Sequence, residues 1–126
     1  MTKAVEIADT GHTLKAWVNF NGAFDASTEN PANQFTTANN GIRAAHNVDY
    51  IIDRATGDFE IHFENAMPDV NYVVVGISTS AAGSTARSPV IRGGNTFTTS
   101  GCQIEYERLS DGNLVDEEKC LLAFLR

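Results

Sequence analysis

The chain has 126 residues, of which 42% are apolar and 20% charged, so it can bury one core but is too short for a multi-domain enzyme or a long fibre shaft. Nine Lys and Arg residues against sixteen Asp and Glu residues give a formal net charge of −7, which disfavours binding to nucleic-acid phosphates or insertion into an anionic membrane surface. No apolar run is long enough to span a membrane, and two cysteines are too few for a disulfide scaffold.

The first strong pattern in chain order is an alternation of apolar and polar residues in Leu14–Phe20. A period of two residues is typical of a β-strand with one buried face. The pattern places Val18 and Phe20 on the buried face and Trp17 on the opposite face. An Asn- and Thr-rich stretch, 21–40, follows and is predicted to be a long connection.

Two further strands are predicted around 50–52 and 59–63, joined by a hairpin in which Gly57 supplies a left-handed turn residue. The run 72–77 is continuously apolar and β-branched, which predicts a strand covered on both faces. We expect two phenylalanines of the connection, Phe24 and Phe35, to pin it to the core.

The second half of the chain also contains predicted strands separated by turns. Residues 102–106 alternate with a period of two, and 121–125 form an apolar closing strand. Gly-, Asn- and Asp-rich turns at 93–95 and 110–113 separate the runs, and no stretch shows a helical period over three turns. The sequence therefore predicts one all-β domain, an antiparallel β-sandwich of roughly seven to nine strands.

Candidate catalytic and metal-binding residues lack the spacing that their chemistry needs. The three histidines are not at zinc-ligand spacing, and the acidic cluster from Asp111 to Glu117 lacks the order of a calcium loop. Two pairs of carboxylates lie on one face of a predicted strand: Glu60 with Glu64, and Glu105 with Glu107. The sequence around them does not indicate the desolvated cleft that a glycosidase uses. We therefore predict no enzyme activity, no cofactor and no metal site.

The two cysteines leave two alternatives open. Cys102 and Cys120 are equidistant from Asp111, so a hairpin centred there would bring them opposite each other on paired strands. The other interpretation, which we favour, is two small apolar core residues that stay reduced.

Two features are candidate contact sites. The small polar stretch 78–88 is typical of a functional loop on a rigid sandwich, and its candidate receptor-contact residues are Ser78, Thr79, Ser80, Ser84, Thr85 and Arg87. The aromatic residues Trp17 and Tyr106 are candidates for a subunit interface or for stacking against a sugar ring.

Several segments, in order, resemble a β-rich module of tailed-bacteriophage tail fibres and virion structural proteins, found especially in marine phages. Residues 15–22 resemble its "KAWVNFNG" opening, and 41–48 its "IRAS-NV" strand. Residues 53–63 resemble its "D-GTGDY-V-F" hairpin, 66–72 its "AMPDANY" segment and 123–126 its "AIFR"-like ending. The connection 24–37 is longer than in that module.

The resemblance implies a phage virion structural protein of the tail fibre or tail tip, without catalytic residues. Residues 14–126 would be the module and 1–13 an N-terminal attachment segment. The expected partners are two further copies in a homotrimer, other virion tail proteins, and a host surface glycan or protein. The protein would be assembled in the host cytoplasm and located in the virion. The alternatives are a carbohydrate-binding module whose site is formed by Trp17, Tyr106 and the 78–88 loop, or a capsid decoration protein.

Overall fold

The computed structural model describes residues 13–79 and 85–126, and within them the chain forms ten β-strands and no helix. The strands are β1 (Leu14–Phe20), β2 (Gln34–Phe35), β3 (Ile42–His46), β4 (Val48–Ala55), β5 (Asp58–Phe63), β6 (Val73–Ser78), β7 (Arg87–Val90), β8 (Phe97–Thr98), β9 (Gly101–Arg108) and β10 (Cys120–Leu125). Since β2 and β8 have only two residues each, the longer strands fall within the predicted number.

The strands form two antiparallel sheets that pack face to face. Sheet I has the order β3-β1-β10-β6, and sheet II has the order β2-β4-β5-β9-β7, with β8 also paired to β9. The predicted all-β antiparallel sandwich is therefore confirmed.

The core lies between the sheets and contains the residues that the period-two pattern assigned to the buried faces. Phe20 of β1, Phe59 of β5 and Tyr106 of β9 are all fully buried. Their rings meet edge to face, with centroids 5.1–6.1 Å apart, a geometry that adds to the free energy gained by burying them.

The long connection between β1 and β3 is tied to this core as predicted. Phe35 is fully buried in β2, and Phe24 packs edge to face against it with ring centroids 5.7 Å apart. The apparent single strand 41–48 is in fact divided at Asn47, which adopts a left-handed φ of 55° and lets the chain cross from β3 in sheet I to β4 in sheet II. The Asn47 side-chain amide donates to the carbonyls of Lys15 and Asn65 (3.1 Å each), which fixes the crossing.

Gly57 forms the predicted left-handed turn between β4 and β5, with a φ of 65°. The 113–116 segment lies directly over it: the Gly57 N–H donates to Asp116 Oδ1 (2.6 Å), and its carbonyl accepts from the Tyr106 N–H (2.8 Å). A Cβ at this position would come within 2.6 Å of the Val115 nitrogen. The turn is thus constrained both by its backbone angle and by its packing.

Gly57→Ala is expected to lower the free energy of unfolding by about 2–5 kcal/mol, combining left-handed strain (~1–2 kcal/mol) with overpacking (~1–3 kcal/mol). Gly112, whose φ is 71° but whose Cβ position is open, supplies the matched control. Gly112→Ala should cost only the left-handed term, about 1–2 kcal/mol. Urea unfolding of both variants measures the difference, and equal losses would contradict the packing role of Gly57.

The cysteines lie in different sheets, because Cys102 is in β9 and Cys120 in β10. These two strands are not paired with each other, so the alternative in which a hairpin about Asp111 brings the thiols together is wrong. Both thiols are free and buried. Burial raises the pKa of each thiol to about 12, which leaves very little reactive thiolate at neutral pH.

A thiol reagent at pH 8 should therefore react with neither cysteine in the native protein and with both after unfolding without reductant. The burial of the two side chains and the raised pKa of their thiols are the reasons. A native thiol that reacts quickly, or fewer than two thiols after unfolding, would contradict the structure.

Candidate assembly surface

The two aromatic candidates, Trp17 and Tyr106, differ in their exposure. Trp17 is 36% exposed on the outer face of sheet I, whereas Tyr106 is completely buried. The prediction that Tyr106 is an interface or sugar-stacking residue is therefore wrong. It lies on the core face of β9, the same face that its alternation with charged neighbours had indicated.

The candidate receptor-contact loop is only partly accessible. Ser80 and Ser84 lie outside the described residues. Arg87 forms an ion pair with Glu117 in which both side chains are about nine-tenths buried, so it is a structural residue and its prediction as a receptor contact is wrong. The pair links β7 to the segment before β10.

The other three loop residues differ in exposure. Ser78 ends β6 with its hydroxyl directed inward. The Thr79 N–H donates to the Lys119 carbonyl (3.0 Å), and its hydroxyl accepts from the Lys119 N–H (3.3 Å). Thr85 is exposed, and among the described residues of this loop it is the one best placed to touch another molecule.

The outer side of sheet I is an apolar surface. It is lined by side chains that we call the apolar face: Trp17 of β1, Val73, Val75 and Ile77 of β6, and Leu121, Ala123 and Leu125 of β10. The strand register places Trp17 beside Ala123 and Ala123 beside Val75 in one row, and Leu121 beside Ile77 in the next. Val73, Val75 and Ile77 are 57%, 52% and 65% exposed.

The exposure of these three side chains contradicts the prediction that the run 72–77 is covered on both faces. The inner side of β6 faces the core, but no described segment of the chain covers its outer side. A continuous apolar run shows no alternation, so it does not reveal which side faces the core or whether a second layer covers the strand. The exposed residues were therefore missed as candidates for function.

The members of the apolar face carry no charge, and an ion pair lies at each of its two ends. Arg43 and Glu118 approach to 3.7 Å at the end near Phe20. Arg126 binds Asp69 with two hydrogen bonds of 2.6 and 2.9 Å at the opposite end, and this guanidinium lowers the pKa of Asp69 to about 2. None of the fourteen acidic residues within 13–79 and 85–126 is a member of the face.

The outer side of sheet II has the opposite character. Arg54 binds Glu60 (2.9 Å), and Glu60 also contacts the imidazole of His62 (2.7 Å). On the neighbouring strand, Arg92 bridges Glu105 and Glu107. The pairs around Arg54 are partly exposed to water, and Glu105 lies buried beneath Arg92. The outer side of sheet II thus carries charged side chains, whereas the members of the apolar face carry none.

Two of the remaining chemical candidates, His62 and Asp111, have protein partners. His62 stacks on Tyr50 with ring centroids 4.3 Å apart, and Asp111 accepts from Arg108 and from the Asn113 N–H. Within 13–79 and 85–126, no group of three His, Cys, Asp or Glu residues converges on a metal position. In the same ranges, no helix has the length and apolar content needed to cross a membrane.

The comparisons with known proteins give no relative. No family model matches the chain, and neither the curated proteins nor the solved structures contain a significant match.

One carboxyl on sheet II has an altered proton affinity. Desolvation, followed by repulsion from Asp116, Asp58 and Asp25, raises the pKa of Asp53 from 3.8 to about 6. Because the folded-state pKa lies above the unfolded value, its contribution to stability is present below about pH 4 and is lost as the pH rises through 6.

Asp53→Asn should therefore stabilise the protein relative to wild type increasingly between pH 4 and pH 7. Thermal unfolding at several pH values measures this trend. The exposed Asp49 on the same strand gives the control Asp49→Asn, which should show a much smaller trend. A melting-temperature difference for Asp53→Asn that shrinks as the pH rises would contradict the assignment.

Proposed function

We propose that the protein is a phage virion structural protein of the tail fibre or tail tip, which assembles with other protein chains and contributes to attachment to the host surface. The observation that carries the proposal is the apolar face of sheet I. The resemblance of five ordered segments to the phage module supplies the virion context, and three copies around an axis is the number that it implies.

The apolar face supports an assembly role because of its chemistry. Proteins that act alone seldom leave a large contiguous apolar patch in water, and such patches are typical of interaction sites. A chain with a net charge of −7 repels its own copies. A face free of acidic side chains is where that repulsion is weakest and where apolar burial favours contact.

Attachment to the host would depend on the loops at the ends of the sandwich. Thr85 is exposed and offers its hydroxyl for a hydrogen bond to a glycan or a protein. A single site of this kind binds weakly, but several copies in one assembly raise the overall affinity through effective concentration.

A carbohydrate-binding module is the second candidate, and the position of Trp17 favours it. This ring is exposed, with the polar side chains of Asn19 and His46 on the same outer side of sheet I. An indole stacks on the apolar side of a sugar, and neighbouring polar groups can bind its hydroxyls. A capsid decoration protein would use the apolar face in the same way as a tail protein.

Purified virions made by the genome that encodes this chain test the proposal. We expect mass spectrometry to find the protein in the particles at a constant copy number, and immunogold labelling to place it on the tail. Its absence from intact particles would contradict the proposal. Labelling of the capsid would favour the decoration protein instead.

A glycan array, with Trp17→Ala as the comparison, separates the second candidate from the first. Strong binding to one class of sugar that is lost in Trp17→Ala, together with absence from virions, would favour the carbohydrate-binding module.

A further inference from the structure

The free edge of β6 lacks the features that protect the other sheet edges. In the described part of the chain, β2 is only two residues long. The edge strand β7 contains Pro89, which has no N–H to donate, and β3 contains the charged Arg43. By contrast, β6 has six residues and neither a charge nor a proline. An edge of this kind is a template for pairing with another strand.

The hydrogen-bond pattern identifies which peptide groups of β6 are available. The Thr79 N–H donates to the Lys119 carbonyl, and the same register continues along β6 and β10 from Cys120 opposite Ser78. Hydrogen-bonded pairs alternate in an antiparallel ladder, so the odd-numbered residues of β6 bond to β10. The even-numbered residues, Val74, Gly76 and Ser78, then direct their N–H and C=O groups to the free edge.

The other side of β10 agrees with this assignment. Arg126 exchanges two backbone hydrogen bonds with Thr13, each 3.3 Å long. Even-numbered residues of β10 therefore bond towards β1, and odd-numbered ones towards β6.

We propose that the free edge of β6 pairs with β6 of a second copy of this chain, antiparallel across a two-fold axis perpendicular to sheet I. This contact goes beyond the proposed function, since it requires no phage context. This axis places the apolar faces of the two copies on the same side of the joined sheet. Odd-numbered residues of one β6 then lie opposite odd-numbered residues of the other, and even-numbered opposite even-numbered. With Gly76 opposite Gly76 and Val74 opposite Ser78, every peptide group at the edge has a partner.

This register also matches the side chains on the apolar face. Val75 lies opposite Ile77 of the second copy in a non-hydrogen-bonded pair, where the side chains are closest. Both residues are more than half exposed in the single chain, so the pairing gives each an apolar neighbour.

The uncharged character of the apolar face permits a second copy as the occupant. Two chains that each carry a charge of −7 repel each other least where the described residues place no acidic side chain, and the apolar face is such a surface. The two-fold contact is self-complementary, so one sequence satisfies both sides of it.

Native mass measurement over a range of concentrations tests the proposal with the full chain. We expect wild type to have an even multiple of the 13.6 kDa chain mass: two copies for this contact alone, or six where it joins two trimers. A monomer at every concentration, as expected if residues 1–12 covered the edge, would overturn the proposal. A trimer would overturn it too, while leaving the proposed function intact. Conversely, absence from virions would refute that function without affecting this contact.

Two lysine variants locate the contact. Ile77→Lys places a charge in the pairing edge and should weaken self-association at least about ten-fold. Ala44→Lys adds the same charge to the outer side of β3, at the far edge of the same sheet, and should leave the association unchanged. Equal effects of the two substitutions, with both proteins folded by circular dichroism, would overturn the proposal.

Cysteine cross-linking tests the register. In an equimolar mixture of Val75→Cys and Ile77→Cys variants, oxidation should give mainly the mixed disulfide-linked dimer, because the two positions lie opposite each other at a distance that suits a disulfide. The buried native thiols should not take part. Predominant linkage of Val75→Cys to itself would indicate a shifted register and contradict the proposal.

Discussion

A β-strand that is apolar on both sides needs a covering layer on each, and β6 has only one within the described chain. Its inner side packs towards the core of the sandwich, while Val73, Val75 and Ile77 point outward. The same strand ends sheet I: within the described residues its outward peptide groups pair with no strand, although β7 of sheet II packs nearby. The apolar face, its lack of acidic residues and the proposed pairing all follow from this unbalanced strand.

The two outer surfaces of the sandwich differ, and the exposed apolar side chains are concentrated on sheet I. The outer side of sheet II carries ion pairs, among them the partly exposed pair of Arg54 with Glu60 and the pair of Arg92 with the buried Glu105. Burial of a fully exposed valine or isoleucine side chain is worth about 1.5–3 kcal/mol. Covering the half-exposed side chains of β6 would therefore offset part of the entropy that two chains lose on association. The ion pairs at the ends of sheet I, including Arg126 with Asp69, form a polar rim like those around many protein interfaces.

Much of the fold could be predicted from the sequence because alternating strands carry their own orientation. In β1, β5 and β9 the pattern identified the buried residues, among them Phe20 and Phe59, and Gly57 marked the hairpin between β4 and β5. The surface was harder to predict. The 72–77 run has no alternation, so its exposed side could not be distinguished from its buried one.

Other predictions were wrong because they depended on contacts between residues far apart in the sequence or on the strand's orientation in the fold. Tyr106 was considered for the surface although its strand parity placed it in the core. The equal spacing of Cys102 and Cys120 from Asp111 suggested a hairpin, but the chain passes from sheet II to sheet I between them. Arg87 looked like a loop residue because its partner, Glu117, is thirty positions away along the chain.

The central claim is that the outer side and free edge of sheet I are covered in the assembled protein. Residue-resolved hydrogen exchange at high and low protein concentration tests it most directly, because alternate amides of β6 face different neighbours. We expect the amides of Val74, Gly76 and Ser78 to be protected at high concentration and to lose protection on dilution, while those of Val75 and Ile77 stay protected by β10. Fast exchange of Val74, Gly76 and Ser78 at every concentration would contradict it.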